Sequence, residues 1–379
     1  MVRMKFWGFV LIVGLCRCSS STDKVSDVPA ITIDPDQPKM TVGETARCFT
    51  NDRLVVLRGA MLNRIDRIMD WGDRFVVFDR GGQQTVIFDT TGNCIARIKR
   101  LGKGPGEYIQ VGSCAIDPTR GELVLYADQP GKLLWFDRNG KFLREKRISE
   151  CFFEFVYAGG YLYAVNCGDG MEMAEMTITR INSAGEKIEQ LPYLLSDLPS
   201  ASGERWLFTN GTTVWLSRPF DYTVYMLNDD TGEFEPRYKL DLGRAILPEE
   251  RIRRIGENGL SRIREDGFAF HVTNVGCVGN YLFLSGIDRM GLGYMIDMKS
   301  DSVRKLGIVP LFGTSNCGVG GYTLLENQNR RIVRQIPATA LEYWSEELKN
   351  KGERNAVLDS VLAVNAEGMN PVLLFQEVK

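Results

Sequence analysis

"TVIFDTTGNCIARI", residues 85–98, is a short run of β-branched and aromatic residues, a polar turn and a second alternating run. An Asp followed three residues later by Gly supplies the left-handed backbone that a tight reversal needs, so the stretch reads as a β-hairpin. The pattern recurs as "KLLWFDRNGKFLREKRI" (132–148), "MTITRINSAGEKIEQL" (176–191), "TVYMLNDDTGEFEPRYKL" (223–240) and, more loosely, "GYMIDMKSDSVRKL" (293–306). The turns begin at Asp89, Asp137, Asn182, Asn228 and Asp297, at intervals of 48, 45, 46 and 69 residues. The long interval exceeds the others by 23, which is the length of the helix-like segment 244–266, "RAILPEERIRRIGENGLSRIRED".

A period near 46 residues with about four short strands per unit is the signature of propeller blades. One such sheet cannot bury both of its faces alone, so the units must stack around an axis and close. The expected fold is all-β, a six-bladed β-propeller with short helical insertions between late blades. Its blades centre on residues 65–100, 110–148, 152–192, 204–242, 268–306 and 314–377. The expected division is a signal segment at 1–18, a linker at 19–29 and the propeller at 30–379, with helical insertions near 244–266 and 338–364. The early strands "AITID" and "RLVVLRG" are expected to pair with the final unit, latching the ring and covering its open edges.

The chain has 379 residues, a net charge of −2 and a pI near 5.8, which gives no overall attraction to nucleic acid. It starts with "MVRMK", then the apolar "FWGFVLIVGLC", then "CRCSSSTDK". That run has the length of a signal-peptide core and is too short to span a bilayer. Cys18 is the expected lipidation site, with Cys16 as a competing acceptor and an ordinary cleaved signal as the alternative. The nine cysteines form no CxxC pair, and several, lying inside apolar strand patterns, read as buried free thiols acting as small hydrophobes.

"RLGKGPGEY", 100–108, lies where the chain leaves one blade and travels inward to begin the next. It lacks the GxxxxGK[ST] spacing and the following helix of a phosphate loop, and its glycines are spaced GxGxG, so it reads as a corner. "GKGPGEY" together with "FDTTGNCIARI", "LYADQPGKLLWFDRNGKF", the closing "NPVLLFQEVK" and the lipoprotein-like start resembles the six-bladed β-propeller lipoproteins of gut Bacteroidota. That group is similar to NHL-repeat and TolB-like propellers. The resemblance covers the mature chain and implies an exported, outer-membrane, lipid-anchored propeller facing either the periplasm or the surface. It brings no catalytic residues to carry over.

The loops read as joining second and third strands are "DRGGQQT", "ADQPGKL", "NCGDGMEMAEM", "SRPFDYT", "GIDRMGLG" and "ENQNRR". They put Arg80, Asp128, Arg218, Asp221, Tyr222, Arg289 and Arg330 at one channel mouth, with Lys103, Glu107 and Tyr108 beside them. Arginines there would grip carboxylates and Phe220 or Tyr222 would stack on a flat face. His271 is the single histidine and reads as structural, which excludes a His-rich zinc site. Two functions remain. One is a non-catalytic binding or scaffolding module, acting as a monomer and recognising a glycan, peptide or envelope protein, with no cofactor. The other is a calcium-assisted lactonase or esterase using Asp128, Asp169, Asp221 and Asp288 as oxygen ligands.

Overall fold

The structure, a computed structural model, describes residues 28–166, 178–191, 205–252, 262–263, 265–287, 292–312, 314–365 and 370–379. Its six four-stranded antiparallel units form the expected six-bladed propeller. The innermost strands of blades one to six are Arg67–Asp70, Ser113–Asp117, Phe152–Ala158, Leu207–Asn210, Thr273–Val278 and Thr323–Leu324. The outermost strands of blades one to five are Cys94–Ile98, Phe142–Arg147, Lys187–Leu191, Phe234–Asp241 and Val303–Lys305.

Both faces of each blade are dry because alternate side chains serve different neighbours. In the second strand of blade one, Val76 and Phe78 join the core shared with blade two, while Phe75 and Val77 join the core shared with blade six. Equivalent cores lie between blades two and three, three and four, four and five, and five and six. Full burial of each such side chain contributes roughly 1.5–3 kcal/mol, and only the ring supplies both partners.

The recurrent Asp or Asn does more than mark a turn. The Asp89 carboxylate accepts from the amides of Thr91 and Asn93 at 2.8 and 2.9 Å, and Asp137 and Asn182 repeat the pattern. Gly92 has φ +92°, and a Cβ there would lie 2.3 Å from the carbonyl oxygen of Val56 in the adjoining blade. The glycine therefore allows both the reversal and the close approach of blades.

The chain ends meet differently from expectation in one respect. Phe49–Val56 pairs antiparallel with Val372–Val378 and completes blade six, with Thr50 opposite Glu377 and Leu54 opposite Leu374. "AITID" does not join it. Ala30–Thr32 runs parallel to the outermost strand of blade four, with Ala30 opposite Lys239 and Thr32 opposite Asp241. Blade six has one outer edge, and 49–56 occupies it; the edge of blade four gives Ile31 and Ile33 a place in the core between blades four and five. From there the chain forms a strap. Met40 donates its amide to Lys305 of blade five at 2.9 Å, and helix α1, Val42–Arg47, leads into blade six.

Both expected insertions contain helix. In the first, α2 (Glu249–Ile252) and its surroundings bury Leu247, Ile252 and Ile263 against Phe220 and Phe270. In the second, α3 (Ala338–Asn350) and α4 (Ala356–Val364) bury Leu341, Leu348, Leu358 and Val361 against blade six. No helix among the described residues is long and apolar enough to cross a membrane.

Candidate functional site

The axis of the ring is crossed by charge. Arg67, on the innermost strand of blade one, donates Nε to Glu326 Oε1 at 3.0 Å and Nη2 to its other oxygen. Its Nη1 reaches the carbonyls of Cys114 in blade two and Phe155 in blade three. Arg205, just ahead of blade four, donates to the same Glu326 at 2.7 Å and lies 3.4 Å from Glu154 of blade three. Thr209 of blade four donates to Glu326 at 3.3 Å, and Glu154 accepts the Leu207 amide at 2.7 Å. Five blades thus share one lattice of two arginines and two glutamates. Arg67 is 4% exposed and Glu326 2%.

Charges removed from water persist only when closely paired. Burial alone would neutralise Glu326, but Arg205 and Arg67 outweigh it and hold its carboxyl below the ordinary range. Burial likewise opposes the charge on Arg67, and Glu326 reverses the effect, raising its pKa. The glutamate is also where blade six meets blade one: its amide donates to Ile68 and its carbonyl accepts from Asp70. Along this cross-section the axis is occupied by protein.

The expected mouth residues divide into several groups. Arg80 and Asp128 do sit in the loops between second and third strands, of blades one and two. Asp128 is half-buried; burial pushes its carboxyl above the usual range, with Arg80 opposing, and its Oδ1 has no hydrogen-bond partner. Lys103 is exposed in the corner between blades one and two. Glu107 accepts the Gly104 amide at 2.8 Å, stiffening the corner. Tyr108 is fully buried, its hydroxyl 2.9 Å from the Gln83 carbonyl. The corner is followed by the strand Ser113–Asp117, and its Gly106 amide is held by Glu145 of blade two at 2.7 Å.

"SRPFDYT" faces inward, contrary to its reading as a ligand-gripping loop. Arg218 is 4% exposed and bonds Asp221, which also accepts from Tyr225 at 2.8 Å. Phe220 is buried against Phe270, and the Tyr222 hydroxyl donates to Ala269 and accepts from Leu247, both at 2.8 Å. The loop has become the anchor of the first insertion. Arg330 needs a further correction. "ENQNRR" joins the first and second strands of blade six, and Asn329 accepts the amide of Gly279, in the corresponding turn of blade five. That is the opposite end of the ring. Arg289, Asp169, Asp288 and Cys18 lie outside the described residues.

Among the described residues no group of three or more His, Cys, Asp or Glu is placed to hold a metal ion. His271 is 1% exposed, with Nε2 3.1 Å from the Ser217 carbonyl. The described cysteines Cys48, Cys94, Cys114, Cys151, Cys277 and Cys317 are free thiols.

Fold and site together define a six-bladed β-propeller with an ion-paired axis and a polar loop mouth. The family described as "Domain of unknown function (DUF4934)" matches residues 58–377, and the chain belongs to it. A crystal structure of a Bacteroides fragilis protein described as exported is similar to this fold with TM-score 0.70 and 16% identity, covering 93% of this chain and 99% of that one. Moraxella catarrhalis BamB aligns at TM-score 0.45 and 12% identity, over 86% of this chain and 100% of its own. A Bacteroides caccae protein of unknown function aligns at TM-score 0.40 and 12% identity, over 67% of this chain and 93% of that one. The curated proteins contain no match.

Proposed function

We propose that this chain is an exported, lipid-anchored binding or scaffolding propeller of the bacterial envelope, without catalytic activity, recognising a polar glycan, peptide or partner protein on its loop face. The observation that carries the reading is the axial lattice. Among the described residues, Arg67, Arg205, Glu154 and Glu326 are engaged with one another and with the blade backbones, so their chemistry serves cohesion. The surface left for recognition is the mouth at blades one and two, where Arg80 acts on the half-buried Asp128 and Lys103 is exposed in the adjoining corner. A half-buried carboxylate with a nearby guanidinium suits a ligand offering hydroxyls or amides.

Export and anchoring through Cys18 rest on the N-terminal sequence, and the fold shared with a Bacteroides fragilis protein described as exported agrees with them. Affinity with NHL and TolB-like propellers belongs to the same proposal. The test is a glycan and peptide array probed with the full chain and with Arg80→Ala and Asp128→Asn. Capture of a defined ligand by the wild type and its loss in the variants is expected. A calcium-dependent rise in Tm accompanied by ester or lactone hydrolysis would replace this reading with a hydrolase.

A further inference from the structure

A cavity of about 710 Å³ opens on the perimeter where the N-terminal strap crosses blade five towards blade six. Its lining includes Lys39, Arg47, Arg304 and Lys305 against the Glu44 side chain, together with Lys379, whose main-chain carboxylate offsets its ammonium. The chain as a whole carries a net charge of −2, so this concentration of cations is local. Tyr281, at the start of blade five's second strand, and Lys379, beyond the end of blade six's third, place the cavity towards the end opposite the loop mouth.

The other groups in the cavity leave this positive field standing. Glu44 remains ionised, but its carboxylate accepts from the Thr41 amide and hydroxyl at 2.8 and 2.7 Å and so is tied to the cap of α1. Burial pushes the Cys48 thiol up, so it adds no negative charge near neutral pH, although Arg304 lies 4.0 Å from its sulfur. Lys305 is fixed by the Pro35 carbonyl at 2.9 Å. Lys39, Arg47, Arg304 and Lys379 form no salt bridge among the described residues, although Arg304 helps to hold the Asp297 carboxyl, and Arg47 that of Glu44, below the usual range. Met40, Met295, Val303 and Tyr281 supply apolar wall.

A concave site with low-dielectric walls and one sign of charge concentrates the opposite ion. Its volume lies in the range of small-ligand pockets, roughly 300–1,000 Å³. Lys39, Arg47 and Arg304, with Lys305, exceed what a single carboxylate needs and match a group that carries more than one charge and several acceptor oxygens. We propose that this cavity binds a phosphate-bearing ligand, either a soluble phosphate compound or a phospholipid headgroup. The site is separate from the loop mouth, and the proposal stands or falls without it.

The test uses calorimetric titration of the full chain with inorganic pyrophosphate, dihexanoyl phosphatidic acid and dihexanoyl phosphatidylcholine. The Lys39→Gln/Arg47→Gln pair and Arg304→Gln alter the cavity, and Lys349→Gln, on the exposed side of α3, controls for net charge. Saturable binding of an anionic probe, weakened ~10-fold or more by either cavity variant and unchanged by the control, is expected. Tighter binding of phosphatidic acid than of pyrophosphate assigns the source to lipid, and comparable binding assigns it to a soluble phosphate. Lys39 and Arg47 are exposed, so their loss leaves the fold intact. No binding of either anionic probe, or equal weakening by Lys349→Gln, overturns the proposal.

Discussion

Replacing Glu326 by glutamine keeps the shape of the side chain and removes the charge that two arginines share. Arg67 would stay 4% exposed with two carbonyl contacts and no paired anion, and Arg205 would retain the Leu207 carbonyl and, as its anion, Glu154. Breaking a buried ion pair from one side costs about 3–5 kcal/mol. For a chain of this size that is a fall in Tm of ~6–10 °C, at ~2 °C per kcal/mol. Urea unfolding followed by tryptophan fluorescence measures it directly. The double variant Arg67→Met/Glu326→Gln removes the stranded cation as well and should cost less than the sum of the single changes by ~1.5 kcal/mol or more. The effect also has a pH signature. Because the folded-state pKa of Glu326 lies below its ordinary value of 4.5, its contribution is present above pH 4.5 and is lost as pH falls through the depressed folded value. The acid limb of the stability curve should flatten in Glu326→Gln. A loss below ~1 kcal/mol, or strictly additive single changes, would refute a cohesive role for the lattice.

Three further outcomes follow from other parts of the ring. Gly92→Ala, with φ +92° and the Val56 carbonyl 2.3 Å from the new Cβ, should lower stability by ~2 kcal/mol or more, whereas Gly121→Ala, with open space around it, should cost only ~1 kcal/mol; chemical denaturation compares them. Mass mapping after brief alkylation at pH 7.5 should find Cys151 modified, because it is exposed. Cys114 and Cys277 should stay protected, with thiols pushed by burial up to about 12 and about 11. Tyr222→Phe removes the hydroxyl bridging Ala269 and Leu247 and should cost ~1–2 kcal/mol while speeding limited proteolysis within 244–266.

The ring was legible in the sequence because its determinants are local. Each Asp or Asn caps its own turn, each glycine carries its own φ, and each strand shows its own alternation, so the same chemistry repeats at nearly the same step. The corner at 100–108 was legible for the same reason. The axial lattice was not, because Arg67 and Glu326 lie 259 residues apart in "DRIMD" and "LLENQ", neither of which differs from ordinary strand ends. Arg330 reads from sequence as a mouth residue because blade six has a two-residue innermost strand, Thr323–Leu324, and α3 and α4 replace its short loop. "ENQNRR" therefore occupied the register in which other blades have their mouth loops. The parallel pairing of Ala30–Thr32 with blade four depends on an edge that only the assembled ring presents.

Closure of the ring by its own two ends is tested most directly by a cross-link. Thr50 faces Glu377 across blade six, so Thr50→Cys/Glu377→Cys should oxidise to a disulfide within one molecule, recovered as a single linked peptide with the native cysteines still free. Failure to link, or links formed only between molecules, would mean that 49–56 is not the outer strand of the last blade and that the six sheets do not form the closed ring described.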